Sequence, residues 1–408
     1  MSDNLKKLES NILHKSKRSE VISKDDFVVK TYTDHPVNEK SSVDREVFFS
    51  SQIKSKNILP SQKISERSLK MQRLSFALGT TKQISLSNIR RLLFFLSKNE
   101  VIQQFENIRK DLNESNIIHR DVNPNNILFD EKSKTLKLSD FYWSINKGEE
   151  FKETPPGLNG AYSKNDSEAI SMLINEFNSN VKIVDKEMFE VLKEFEKNVG
   201  SYIFGGSSRK LGWAYHIVDI PDWKDKFRVH KTACIKEYQD ICNEYSIPKN
   251  INILDVGAAN GYFSFNSIRD FSPKKIVAYE GDDYVRKFLN DIKRIYNLHE
   301  FEVNDKVNEN FKLEDNYDVT FLLNVHMWIR KAIGTSGARK VMNEIQKHTK
   351  HLFFQTAHKE SKGKYLEIEL KDYKDIFNYL NSFGYKKVKL ISETTVHGGI
   401  RYLFHAEN

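Results

Sequence analysis

The chain has 408 residues, of which 64 are Lys or Arg and 56 are Asp or Glu, leaving a formal charge of +8 at pH 7. That length suits two ordinary domains with sizeable cores, and 39% hydrophobic with 12% aromatic residues excludes a disordered chain. Two cysteines exclude a disulfide scaffold and fit a reducing compartment; the mild, dispersed basic surplus suits a phosphate-bearing substrate or an anionic surface better than a dedicated nucleic-acid binder.

The longest apolar run surrounds Leu92-Leu93-Phe94-Phe95-Leu96, far short of the roughly 20 residues a membrane helix requires. The opening MSDNLKKLES has no apolar signal core, so a soluble, cytoplasmic protein is expected. Peripheral contact with a membrane surface and the oligomeric state stay open. In chain order, Phe27-Val28-Val29 and Leu69-Lys70-Met71 read as short strands, and 42–53 and 98–113 as helices. Ile117-Ile118 and Leu136-Lys137-Leu138 read as small strands around a loop. Over 181–199, Met188, Val191, Leu192 and Phe195 recur at one-face helical spacing, and the glycine-rich 200–212 reads as a loop. Strand and helix then alternate: strand 251–256, a helix from Tyr262, strand 275–279, helix 283–296, strand 319–323, helix 336–349 and strand 351–355. Such alternation implies a parallel sheet with helices on both faces. A last strand follows a glycine turn within 396–404.

Two stretches carry chemistry. The first is Ile118-His119-Arg120-Asp121-Val122-Asn123-Pro124-Asn125-Asn126, followed nineteen residues beyond Asp121 by Ser139-Asp140-Phe141. It resembles the protein-kinase-like fold, whose catalytic loop reads H-R-D-x-x-x-x-N and whose metal-holding aspartate precedes Phe. The resemblance implies Asp121 as the group that takes the acceptor hydroxyl's proton, with Asn126 and Asp140 holding Mg²⁺ across the phosphates of ATP. It also implies a strand lysine on the phosphates and a helix glutamate fixing that lysine. Lys30, ending Phe27-Val28-Val29-Lys30, and Glu46, sixteen residues later, are similarly placed. Met71 and Arg73, in Met71-Gln72-Arg73-Leu74, stand where a hinge would meet adenine, and Asp166 looks like the brace beneath the catalytic loop. A His-Arg-Asp tripeptide alone would be a chance surface loop, and a Lys–Glu pair is ordinarily a surface pair; four matches in order are more specific. The departures are equally plain. No glycine precedes Lys30 between Asn11 and Glu20, so Lys15, Lys17 or Arg18 would cover the phosphates by charge. Tyr142 replaces the glycine of D-F-G, no A-P-E follows, and about 180 residues leave little peptide-docking lobe. These features are more similar to small kinases of sugars or lipopolysaccharide than to kinases of protein substrates. A dead, nucleotide-sensing fold is the competing view, opposed by four filled positions.

The second stretch is Ile253-Leu254-Asp255-Val256-Gly257-Ala258-Ala259-Asn260-Gly261-Tyr262, a strand running into a helix. It resembles the first motif of class I S-adenosylmethionine-dependent methyltransferases, in which glycines let the backbone approach the cofactor and turn into the helix. The resemblance assigns Asp255, Gly257, Ala259 and Gly261 to the cofactor and Glu280, twenty-five residues after Asp255, to the ribose hydroxyls. Asp305 would flank the adenine, Asn324 would line the mouth of the site, and His326 is either catalytic or a satisfied loop histidine. A dinucleotide site is the competing reading of the glycines. Tyr215 and His216, with Arg228 and Lys231, resemble a lid of methyltransferases related to wobble-uridine tRNA modification, and Arg401 would hold an anionic acceptor or lie solvated.

The fold class expected is therefore an α+β, two-lobed kinase-like domain over 1–180, a helical linker and lid over 181–245, and an α/β Rossmann-like class I methyltransferase domain over 246–408. The pair resembles bifunctional kinase–methyltransferases that terminate O-antigen polysaccharide, although the order is reversed here, and it implies S-adenosylmethionine, ATP and Mg²⁺ as cofactors. The expected activity is phosphorylation of a hydroxyl on a glycan or small molecule and methylation, with the new phosphate as one candidate acceptor. An RNA methyltransferase with an accessory kinase is the alternative; no aromatic-rich RNA-binding module supports it.

Overall fold

A computed structural model describes residues 12–16, 18–33, 42–150, 165–199, 213–214, 216–229, 232–357, 370, 372–396 and 399–408. The protein is mixed α/β with several sheets and divides into two compact units, Met1–Asp185 and Lys186–Asn408.

The first unit opens with strands β1 (Ile12–Lys15), β2 (Ser19–Lys24) and β3 (Phe27–Tyr32), helix α1 (Ser42–Gln52), and strands β4 (Ser61–Ser65) and β5 (Ser68–Gln72). The strands form one antiparallel sheet in the order β1-β2-β3-β5-β4. Period-2 alternation along β3 buries Val28, Lys30 and Tyr32 on one face, while α1 buries Val43, Glu46, Phe49 and Ser50 at helical spacing. A lysine and a glutamate thus occupy positions the patterns reserve for apolar side chains. The glycine-free stretch before Lys30 is the β1–β2 hairpin, closed by Ser16, whose hydroxyl accepts from the Arg18 and Ser19 amides.

The rest of the unit comprises β6 (Phe76–Ala77), α2 (Leu86–Phe95), α3 (Lys98–Glu114), β7 (Ile117–Ile118), β8 (Ile127–Asp130), β9 (Thr135–Leu138) and β10 (Ile145–Asn146). Ser85 caps α2, and α3 starts on a capping box between Ser97 and Glu100, satisfying amides the helix cannot pair itself. Helix α4 (Asp166–Val199) begins here, burying Ala169, Ile170, Leu173 and Phe177. The helix read over 181–199 and the one opened by Asp166 are one element; the 200–212 loop lies outside the described residues.

The second unit contains β11 (Trp213–Ala214), paired with β12 (Arg228–Val229), and α5 (Ala233–Glu244). Then follow β13 (Asn252–Val256), α6 (Tyr262–Phe271), β14 (Lys275–Tyr279), α7 (Asp283–Tyr296), β15 (Phe301–Asn304), β16 (Tyr317–Leu323), α8 (His326–His348), β17 (Thr349–Thr356), α9 (Tyr373–Asn381), β18 (Lys387–Val396) and β19 (Gly399–Glu407). The seven strands from β13 onward pair in the order β15-β14-β13-β16-β17-β19-β18. The first five are parallel and β19 runs antiparallel to both its neighbours. Near-continuous apolar burial along β13, β14 and β16 reflects a sheet covered on both faces. Chain order reverses between β13 and β16, which opens a crevice at the carboxyl ends of those strands. The helix expected over 336–349 is the second half of α8; a first half starts at His326, and Gly334 at φ 72°, ψ 172° kinks the two. Among the described residues no helix is long and apolar enough to cross a membrane.

Candidate active sites

In the first unit, Lys30 Nζ stands 2.9 Å from Glu46 Oε2 and 2.8 Å from Asp140 Oδ1. Lys30 is 6% exposed and Glu46 1%. Burial alone would discharge the lysine, but the Asp140 and Glu46 carboxylates outweigh it and hold the ammonium charged well above its usual range. Burial also opposes ionisation of Asp140, yet the charge and hydrogen bond of Lys30 keep its carboxyl below the usual range. Asp140 sits at φ 62°, just before a 3₁₀ turn over Phe141–Trp143.

Two residues that sequence reasoning missed complete this corner. Tyr32, two places beyond Lys30 and so on the same strand face, donates its hydroxyl to the Glu46 oxygen that also accepts from Lys30. Arg45 donates to the carbonyls of Tyr142 and Ser144, on the far side of the Asp140 turn. Strand periodicity signals the first; nothing local signals the second.

The loop between β7 and β8 places Asp121 beside Asn126. Asn126 Nδ2 donates to Asp121 Oδ2 at 3.0 Å and to its carbonyl at 2.8 Å, and Asn123 Nδ2 donates to Oδ1 at 2.9 Å. Burial, with repulsion from Asp140, pushes the Asp121 carboxyl up to about 7 against the pull of both amides and Lys30. His119 anchors the loop: its Nε2 meets the Ser139 carbonyl at 3.0 Å, and its Nδ1 accepts the Asp121 amide at 3.3 Å. That pattern defines a neutral imidazole protonated at Nε2, consistent with burial lowering its pKa. Asp166 accepts the His119 and Arg120 amides at 2.6 and 2.9 Å, with Arg120 at φ 69°.

The other expected residues lie as follows. Met71 is half-buried against the Tyr32, Val43, Leu69, Tyr142 and Trp143 cluster. Arg73 is not gathered with the lysine: its amide donates to Asp26 and its guanidinium to the Asp25 carbonyl, at the β2–β3 turn. Lys15 pairs with Glu20 at 3.1 Å, and the Arg18 guanidinium lies 5.5 Å from the Trp143 ring centre. Lys17 falls outside the described residues.

In the second unit, β13 ends in a loop with three left-handed residues, Gly257 at φ 81°, Ala259 at φ 48° and Gly261 at φ 85°. Gly257 admits no side chain, because a Cβ there would stand 2.6 Å from Val325 Cβ. The loop is pinned by Glu280 beyond β14, whose Oε2 accepts the Ala259 amide at 2.8 Å and whose Oε1 accepts that of Asp282 at 2.9 Å. Asp255 accepts Ser264 Oγ at 2.6 Å. Burial, with the Glu280 charge adding, pushes its carboxyl up to about 7 despite that bond, and burial raises Glu280 as well. Asp305 is exposed and paired with Arg286 at 2.8 Å; Arg286 also donates to the Glu280 carbonyl.

Asn324, at φ 60° beyond β16, and His326 are both buried. His326 Nε2 lies 2.9 Å from the Tyr379 hydroxyl. His216 is clasped by Asn260, whose Oδ1 accepts the His216 amide at 2.9 Å and whose Nδ2 donates to its carbonyl at 2.6 Å. Arg401, opposite Thr394 on β19, is 8% exposed and so is not a solvated arginine. Arg228 contributes backbone to β12, whereas Tyr215 and Lys231 lie outside the described residues.

No protein-family model and no curated protein matches the chain. Among solved structures it is similar to WbdD, a bifunctional kinase-methyltransferase, at 17% identity and TM-score 0.38, over 49% of this chain and 45% of that one. It is also similar to the N-terminal domain of EvdMO1, determined in the presence of SAH and D-fucose, at 12% identity and TM-score 0.39, over 55% of this chain and 96% of that one. The chain thus matches less than half the length of WbdD, and likenesses this distant decide nothing about its chemistry.

Proposed function

We propose that the chain is a two-activity transferase. Its first unit moves a phosphoryl group from ATP to a hydroxyl of a glycan or small molecule, and its second unit methylates an acceptor from S-adenosylmethionine. The observation that carries this is Lys30, held between Glu46 and Asp140 by residues 16 and 110 places away beside an aspartate poised near neutrality. Phosphoryl transfer is chiefly positioning and charge stabilisation. Lys30 grips phosphate oxygens, and Asp121, with a carboxyl near pH 7, takes the acceptor's proton without being a wasteful base. Asn126 and Asp140 offer the hard oxygens that suit Mg²⁺. Mg²⁺ there would offset the charge of the phosphates.

For the second unit the support is the backbone cradle of Gly257 to Gly261 with Glu280 across it, at the crevice where strand order reverses. Methyl transfer is an in-line displacement that needs alignment more than acid–base help. Having both activities on one chain raises the local concentration of the first product for the second step. The test is incubation of the full chain with labelled ATP and labelled S-adenosylmethionine against cell extracts. Asp121→Asn abolishes phosphate incorporation and Asp255→Asn impairs methyl incorporation; identical methyl products from wild type and Asp121→Asn would show that the steps are not sequential. No incorporation of either label would end the proposal.

A further inference from the structure

Four buried side chains in the second unit form one directed row. Asn324 Nδ2 donates to Gln355 Oε1, Gln355 Nε2 donates to Thr394 Oγ1 at 3.2 Å, and Thr394 Oγ1 donates to Glu237 Oε1 at 3.4 Å. They come from the tip of β16, from β17, from β18 and from α5, and their exposures are 8, 0, 5 and 0%. All three bonds run the same way, from Asn324 toward Glu237, which accepts at the end of the row. The single Thr394 proton goes to Glu237; Gln355 must then present its NH₂ to Thr394 and its carbonyl to Asn324. Asn324 must in turn spend its NH₂ on Gln355, which leaves its Oδ1 facing away. That oxygen is buried and, among the described residues, has no hydrogen-bond partner.

A buried acceptor without a donor is costly, and such groups in native proteins call for a reason. The position supplies one. Asn324 holds a left-handed backbone at the carboxyl end of β16, and the next residue, Val325, fills the space beside Gly257. Asn324 therefore stands at the edge of the crevice that holds the methyl donor in our reading of this unit.

We infer that Asn324 Oδ1 receives the methyl acceptor, and that the accepting group is a hydrogen-bond donor, a hydroxyl or an amine, rather than an ionised phosphate oxygen. The inference rests on the methyl-transfer reading of the second unit. An ionised phosphate offers only lone pairs, which a water-poor amide oxygen repels; an O–H or N–H satisfies the oxygen and is aligned by it. In the hydroxyl case the acceptor oxygen bonds the methyl carbon, the carbon–sulfur bond breaks with its electron pair remaining on sulfur as the thioether, and the hydroxyl proton leaves to water. Gln355, Thr394 and Glu237 are positioning residues that fix which end of the Asn324 amide meets the acceptor.

The test uses the full chain with methyl-tritiated S-adenosylmethionine, ATP and the glycan and small-molecule fractions of a cell extract. Labelled product is then treated with aqueous hydrofluoric acid, which cleaves phosphate esters and spares ethers and amines. Label that survives supports the inference; label released as methanol overturns it. Asn324→Ala keeps S-adenosylhomocysteine affinity within twofold by calorimetry, while in the tritium-transfer assay its KM for the acceptor fraction rises about tenfold. The isosteric Glu237→Gln lets the row reverse and lowers kcat/KM for the acceptor at unchanged cofactor affinity. A tenfold loss of S-adenosylhomocysteine affinity in Asn324→Ala would make it a cofactor residue and overturn the inference, as would cofactor binding with no labelled product in any fraction. Failure of the wild type to bind S-adenosylhomocysteine would instead overturn the methyl-transfer reading itself.

Discussion

Replacing Gly257 by alanine separates two costs that the structure specifies independently. At φ 81° a non-glycine residue is strained, by roughly 1–2 kcal/mol. The new Cβ also stands 2.6 Å from both Cβ and Cγ2 of Val325 and 3.0 Å from Cγ1, an overpacking that costs about 1–3 kcal/mol. The sum is about 2–5 kcal/mol. Because Val325 Cβ is itself in conflict, Val325→Ala does not relieve the clash, whereas Val325→Gly does. A double-mutant cycle should therefore return a coupling of about 1–3 kcal/mol for Gly257→Ala with Val325→Gly, and much less with Val325→Ala. Exchange of the β13 and β16 amides, read by mass spectrometry, reports the stability of this unit apart from the other, and S-adenosylhomocysteine calorimetry gives the effect on binding. Equal couplings for the two partners, or a Gly257→Ala cost below about 0.5 kcal/mol, would refute the reasoning.

Asp166→Ala orphans the His119 and Arg120 amides, each loss worth about 1–3 kcal/mol; their hydrogen exchange should accelerate at least about a hundredfold, and unchanged rates would count against the brace. Since burial raises the Asp121 carboxyl to about 7, kcat/KM for phosphoryl transfer should climb with unit slope up to pH 7 and then level. The folded state holds that proton to a higher pH than the unfolded chain, so the group's stabilising contribution is lost as pH rises through 7. Asp121→Asn should therefore stabilise the first unit more at pH 8 than at pH 5; a flat rate profile would contradict the assignment. In the second unit His351 Nδ1 lies 3.1 Å from His405 Nε2, and burial lowers both. The unfolded chain takes up protons near pH 6.5 that the folded unit refuses, so stability present above that pH is lost as pH falls below it. His351→Gln should shrink this slope between pH 7 and 5 in exchange of the β17 and β19 amides, and an unaltered slope would refute the coupling.

Much of the frame could be read in advance because it is local. Strands such as β13 and β14 are short apolar runs ended by turn residues, and α7 shows its face at Val285, Phe288, Leu289, Ile292 and Ile295. The first half of α8 could not be read, because Gly334 breaks the pattern while the backbone resumes beyond the kink. The β1–β2 hairpin is mostly polar and half-exposed, so alternation is faint there. Motif spacing singled out Lys30, Glu46 and Asp140, which the fold brings into contact, but assigned nothing to Arg45, whose partners are carbonyls that carry no sequence signal. The Asn324 row shows the same limit: Gln355 in β17 and Glu237 in α5 look like ordinary surface polars until tertiary packing encloses them.

Helix α1 has a mechanical consequence. Arg45 and Glu46 are successive residues, so their side chains leave the axis about 100° apart, one reaching the Tyr142 and Ser144 carbonyls and the other Lys30. A cylinder pinned at two azimuths cannot roll to free one anchor without tearing the other. A change in the first unit that depends on rotating this helix about its axis is thereby discouraged.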